Sequence, residues 1–163
     1  MPAPSPLAVD LAEVEPITWG GAEAARFLLR GSDTGGLFSF YEVQVPAGEG
    51  SLLHLHEAAD ETFYVIGGEF EITVGEAVHQ ARPGVLVYGP RGIRHQFRNA
   101  SAATSTMLCV MTPGGIETFF EKLSGLVTQV PPAGWEALRD LAARHRIVAR
   151  PPEQTHFTER TVR

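Results

Sequence analysis

Short runs of apolar, β-branched and aromatic residues fill the middle of this chain, and glycine or proline separates one run from the next. Between residues 37 and 112 the spacing predicts strands near 38–45, 52–56, 61–66, 69–74, 77–80, 85–88, 95–98 and 105–111. Strands at such regular intervals, with no helices between them, predict an all-β sandwich or barrel. After Pro113 the period changes. Ile116, Phe119, Phe120 and Leu123 fall at helical spacing, and Trp135, Leu138, Leu141 and Ala142 form the apolar stripe of a second helix ending near Arg146. His145 and Arg146 would then sit in its last turn, where positive charge suits the helix dipole. Both helices are too short for a domain of their own, so they are expected to pack on the outside or one end of the barrel. The expected organisation is an N-terminal segment over 1–36 (Pro-rich and flexible at its start, with added strands later), a barrel over 37–112, helices over 113–149 and a tail over 150–163.

Composition narrows the function more than the fold. A chain of 163 residues, 44% hydrophobic, has material for one core. No apolar run approaches the ~20 residues of a membrane span. The N-terminus lacks a basic stretch followed by an apolar one, so no signal peptide is expected and a cytoplasmic location follows by default. Cys109 is the single cysteine, which excludes an intrachain disulfide. The net charge of −6 carries no block of like charge, and nucleic-acid binding has no support.

The residues with chemistry begin at His54-Leu-His56. Side chains two apart in a strand point the same way, so both imidazoles can converge on one ion. Glu61 opens the next strand after a short connection, and His95 lies on a later one. Three imidazoles and one carboxylate suit Ni, Mn, Fe, Co, Cu or Zn, and not Ca or Mg. Four protein ligands leave positions open on an octahedral ion, as catalysis needs. Taken alone, a His-x-His in a strand is more often structural than a ligand, and the spacing around it has to decide.

Gly48, His54, His56, Glu61 and Gly68 satisfy G-x5-HxH-x3,4-E-x6-G, and Gly84, Pro90, Gly92, His95 and Asn99 satisfy G-x5-P-x-G-x2-H-x3-N. In these two motifs the chain resembles the cupin superfamily, whose fold is a double-stranded β-helix or jelly-roll barrel. The resemblance implies one divalent metal held by His54, His56, Glu61 and His95. The glycines suit turns with unusual backbone angles, Pro90 fixes φ before the turn that aims His95, and Asn99 can cross-link a turn through its amide.

Parity suggests the pocket. Leu52 shares a face with His54 and His56, Phe63 and Val65 with Glu61, and Phe97 with His95, so these four are expected inside the barrel as substrate contacts or core. Met107, Cys109 and Met111 share a face of their strand. Cys109 reads as a small buried residue, since no activating cation is near it in sequence. Arg91, Arg94 and Arg98 flank the His95 turn, either as a solvated rim or as a positive entrance for anions. His79 and His156 carry no assignment.

The runs 61–69, 90–95 and 112–120 are similar to single-barrel microbial cupins of the quercetin dioxygenase-like group. Retention of four ligands points away from metal-free epimerases and storage cupins, and Glu61 points away from three-His thiol dioxygenases. The resemblance implies oxidative cleavage of a flavonol or similar enol or hydroxy-ketone, with O2 as co-substrate and Glu61 as general base. The rivals are a metal-dependent isomerase, lyase or cyclase on a small metabolite, and a non-catalytic small-molecule binder. It also implies a homodimer.

Overall fold

Each expected strand recurs within two residues of its bounds in the computed structural model, which describes residues 5–19, 23–130 and 132–151. The chain forms β1 (Ile17–Trp19), β2 (Glu23–Leu29), β3 (Ser39–Val45), β4 (His54–His56), β5 (Asp60–Gly67), β6 (Phe70–Val74), β7 (Ala77–Ala81), β8 (Leu86–Gly89), β9 (His95–Asn99) and β10 (Ser105–Thr112). Two helices, α1 (Glu117–Thr128) and α2 (Trp135–Arg144), and a last strand, β11 (Ile147–Ala149), follow. One antiparallel sheet runs β1-β2-β3-β10-β5-β8 and the other β11-β4-β9-β6-β7. In β10, Ser105, Met107, Cys109 and Met111 point inward and are buried while their neighbours do not. Phe63, Val65, Phe70, Ile72 and Met107 are fully excluded from water between the sheets, each contributing about 1.5–3 kcal/mol of apolar burial.

The N-terminal segment supplies the added strands: β2 pairs with β3, and β1 with β2. Residues 1–4, the start of the expected flexible stretch, and 152–163, most of the tail, lie outside the described residues.

Three local expectations change. The strand expected over 52–56 is only three residues long. Before it, the chain follows β9 through irregular bonds: Ser51 N donates to the Phe97 carbonyl, and Phe97 N donates to Ser51 Oγ. The second helix ends earlier than expected. His145 is its C-cap and Arg146 turns left-handed at φ 57°, so neither lies in the last helical turn. That reversal is needed because the next three residues form β11, which pairs with β4 and which the apolar pattern did not show.

The helices are tied to the barrel by polar anchors. Glu117, buried at the start of α1, accepts hydrogen bonds from Gly31 N at 2.9 Å and Ser39 Oγ at 2.7 Å. The backbones of Gly31 and Gly115 pass so close that a Cβ on Gly31 would lie 2.7 Å from Gly115 N, which only glycine allows.

Asn99 closes the second motif as expected. Its amide donates to the carbonyls of Val45 (2.8 Å) and Ala103 (2.7 Å), and its oxygen accepts from Ser101 N and Ser105 Oγ. Asn99→Ala leaves these buried groups without partners. It is expected to lower unfolding free energy by about 3 kcal/mol in urea titration; a change under about 1 kcal/mol would show that the turn holds without the amide.

Candidate metal centre

Adjacent strand pairings bring the chemistry together. His54 lies directly across from His95 in the β4–β9 pair, and His56 follows two residues on. Glu61 is the second residue of β5 on the facing sheet, between Met111 of β10 and Gly89 of β8. One ligand atom from each of His54, His56, Glu61 and His95 lies within 4.8 Å of the others. Glu61 Oε2 is 3.1 Å from His95 Nε2, 3.3 Å from His56 Nε2 and 4.0 Å from His54 Nε2.

The outer ring nitrogens are spoken for. His54 Nδ1 bonds the Leu52 carbonyl at 2.7 Å, and His95 Nδ1 bonds the Ile93 carbonyl at 3.0 Å. A carbonyl only accepts, so these bonds place a proton on Nδ1 and turn each Nε2 inward, where His95 Nε2 meets Glu61 Oε2 at 3.1 Å. His56 Nε2 is buried and makes no hydrogen bond. A buried imidazole nitrogen without a hydrogen bond, beside a carboxylate and two further inward Nε2 atoms, fits a bound transition ion. These four residues could hold one.

Electrostatics agree. Burial, then the charges of His95 and His56, push His54 down to about 3, so it is a neutral donor at any ordinary pH. Burial alone would raise the Glu61 carboxyl, but the close imidazoles of His56 and His95 outweigh it and hold the group well below its usual range. Burial lowers His95 as well, and the bond and charge of Glu61 reverse the shift, so its net direction is upward. Tyr41 donates its hydroxyl to Glu61 Oε1 at 2.7 Å, and burial and the Glu61 charge push its own pKa well above the ordinary value.

The cluster opens on a cavity of about 280 Å³. Leu52, Phe97 and Met111 line it from the barrel, and Phe119, Phe120, Leu123, Trp135 and Leu138 line it from α1 and α2. A second space of about 180 Å³ lies across His56 and Met111, bordered by Ala59, Ile116, His145 and Arg146.

Of the four residues expected inside, Leu52 and Phe97 line the larger cavity. Phe63 and Val65 do not. Both are fully buried core, with the Phe63 ring edge-on to His95 at 5.8 Å and to Phe97 at 6.0 Å. They lie deeper along β5 than Glu61, and layers of side chain fill that depth. The three arginines line neither cavity. Arg91 is bound to Asp60 through its backbone N, Nε and Nη2, and Arg98 Nε donates to the Gly48 carbonyl. Cys109 is buried against the site, and burial and the Glu61 charge push its thiol pKa well up, against any nucleophilic role. His79 lies on β7, away from the cluster, and His156 is outside the described residues.

Sequence reasoning missed Tyr41, Glu23 and the aromatic roof. The signal for Tyr41 was present: Ser39, Tyr41, Val43 and Val45 alternate, and all are buried. Glu23 lines the larger cavity with no motif to mark it.

Residues 41–111 match the family model of the cupin domain. Over 103 residues the chain is 30% identical to quercetin 2,3-dioxygenase of Bacillus subtilis (strain 168), covering 63% of this chain and 30% of that enzyme. The match therefore spans less than a third of the relative's length. The fold superposes on KdgF from Halomonas sp. with a TM-score of 0.64 at 16% identity, over 70% of this chain and 99% of that one. It superposes on a cupin-superfamily sugar phosphate isomerase from Silicibacter pomeroyi with a TM-score of 0.55 at 27% identity, over 65% and 75% of the two chains. The barrel has the cupin fold, and residues 41–111 carry the cupin domain. Among the described residues no helix is long and apolar enough to cross a membrane.

Burial, with the charge of Glu49 second, pushes the Glu23 carboxyl up to about 7, against a hydrogen bond from Trp19 that lowers it. The ordinary value is 4.5. Between those two values the folded chain holds the proton that the unfolded chain has released, so stability falls as pH rises through the window. Glu23→Gln has no such dependence. Thermal melts of both proteins should show the variant gaining on wild type from pH 5 to pH 8; a difference that stays constant with pH refutes the shift.

Proposed function

We propose that this chain is a metal-dependent dioxygenase of the quercetinase-like kind, cleaving a flavonol or a similar enol or hydroxy-ketone. The observation that carries the reading is the meeting of a His54, His56, Glu61 and His95 cluster with a cavity walled by aromatic and aliphatic side chains. A flat, largely apolar substrate with one oxygenated edge matches both ends of that space. The similarity to the Bacillus subtilis enzyme supports the same choice. The donor set is compatible with Ni, Mn, Fe, Co, Cu or Zn and selects none of them.

A divalent transition ion held by these four residues would supply Lewis acidity toward an enol oxygen and open positions for oxygen chemistry. The protein's own contribution follows from its geometry. Leu52 and Phe97 from the barrel, with Phe119, Phe120 and Trp135 from the helices, hold the ring system and keep water out. His54 and His95, their Nδ1 atoms tied to backbone carbonyls, keep their Nε2 atoms turned inward. Glu61, held ionised, takes the proton of the substrate hydroxyl as general base. The isomerase neighbour suggests a second reading, metal chemistry without oxygen. A sugar phosphate needs cationic contacts, and among the described residues no lysine or arginine lines the larger cavity, which favours the first.

The test is metal analysis followed by an oxygen electrode. Wild type reconstituted with each ion should hold about one per chain, and His54→Ala/His95→Ala should hold none. With flavonols, oxygen uptake should match substrate loss. Turnover that proceeds equally well without oxygen overturns the dioxygenase reading in favour of the isomerase or lyase class. Glu61→Gln should lower kcat by about 100-fold or more while retaining ion; full activity in that variant rules out the base.

A further inference from the structure

Glu61 does not present two equivalent oxygens. Oε2 faces the three imidazoles, at 3.1 Å from His95, 3.3 Å from His56 and 4.0 Å from His54. Oε1 is turned away and accepts the Tyr41 hydroxyl at 2.7 Å. The phenol that makes this bond has little freedom. Tyr41 is 1% exposed. Its ring stacks on Phe27 with centroids 4.8 Å apart and an interplanar angle of 28°, and Phe120 of α1 flanks it at 6.1 Å. On β10 its cross-strand partner is Cys109, itself buried. With the ring clamped on these sides, the O–H is delivered to one place.

We infer that Tyr41 is the positioning residue for Glu61, making the carboxylate a one-oxygen group at the metal centre. A carboxylate with both oxygens free can swing to offer two oxygens to an ion, or rotate out toward the cavity. Tyr41 blocks both motions by occupying Oε1 in a short buried hydrogen bond, whose strength is raised by the low-dielectric surroundings. Oε2 is then the oxygen left both to meet an ion and to receive a substrate proton. The ring borders the larger cavity, but its hydroxyl is committed to Oε1, so it acts through the carboxylate, as groups behind metal ligands commonly do. The inference rests on the four-residue metal centre and is independent of whether the substrate reacts with oxygen.

The experiment compares wild type, Tyr41→Phe, Glu61→Ala and the double variant, each loaded with Cu(II) for electron paramagnetic resonance and titrated with Co(II) by competition. Tyr41→Phe removes one oxygen atom and keeps the ring that packs on Phe27, and melting temperatures confirm that each protein is folded. The expected result is an altered Cu(II) spectrum and a change of roughly 10-fold in Co(II) affinity for Tyr41→Phe. In the Glu61→Ala background the same substitution should leave the spectrum unchanged and move affinity by less than about 2-fold, because the group it acts through is gone. A Tyr41→Phe protein that matches wild type in both readouts overturns the inference while leaving the metal centre intact. Equal effects in both backgrounds overturn it too, since Tyr41 would then act through packing alone. Wild type that binds neither ion overturns the metal centre itself, and the inference with it.

Discussion

A carboxylate inside an apolar barrel is the constraint around which this site is organised. Glu61 is 6% exposed, and burial alone would force it to take up a proton. It stays ionised because one oxygen lies among three Nε2 atoms and the other accepts a phenol hydrogen bond. The arrangement is reciprocal. His95 is drawn upward by Glu61 while His54 is driven down by burial and by its fellow imidazoles. One negative charge thus serves three nitrogens. Without it, clustered imidazoles would have no counter-charge in a space that excludes water.

Holding those nitrogens in place falls to a very short element. β4 is three residues long and meets β9 through a single residue pair, His54 with His95. Its other edge is covered by β11, where Ile147, Val148 and Ala149 pair with His56, Leu55 and His54. The Arg146 carbonyl accepts from Glu57 N, and Arg150 N donates to the Leu53 carbonyl, which extends the support beyond the strand at each end. The two helices therefore do more than cover the barrel. They carry the chain across the cavity and return it as the strand that braces the ligands.

The parts legible in the sequence were those with local periodicity. Alternation along β3, β5 and β10 and turn residues at fixed intervals placed the barrel, and two motif spacings assembled His54, His56, Glu61 and His95. What alternation does not encode is depth. It put Phe63 and Val65 on the inward face with Glu61, and they are inward, yet they fill the core below the site. β11 escaped for a different reason: three residues after a helix show no period, and only their partner β4 makes them a strand. Tyr41 shared the parity of its buried neighbours but belonged to no motif. The cavity wall from Phe119, Phe120, Trp135 and Leu138 arises where helices meet a sheet distant in sequence, which no local window reveals.

The aromatic roof and the carboxylate are also physically continuous. Trp19 packs on Phe120 at 4.6 Å, Phe120 on Phe27 at 5.9 Å, and Phe27 on Tyr41 at 4.8 Å, where the chain of rings ends on Glu61. Phe120 also lines the cavity, so one side chain both borders that space and flanks the ring that bonds the carboxylate. The position of α1 is itself set by buried polar bonds from Gly31 and from Ser39 to Glu117, and Ser39 lies on the strand that carries Tyr41 two residues later. β3 thus supplies, from alternate inward positions, the anchor of the roof and the anchor of the carboxylate. Apolar walls raise the strength of every charge interaction they enclose. In this barrel the same rings that would hold a flat substrate keep water from Glu61, so the cavity's shape and the site's electrostatics have a single structural origin.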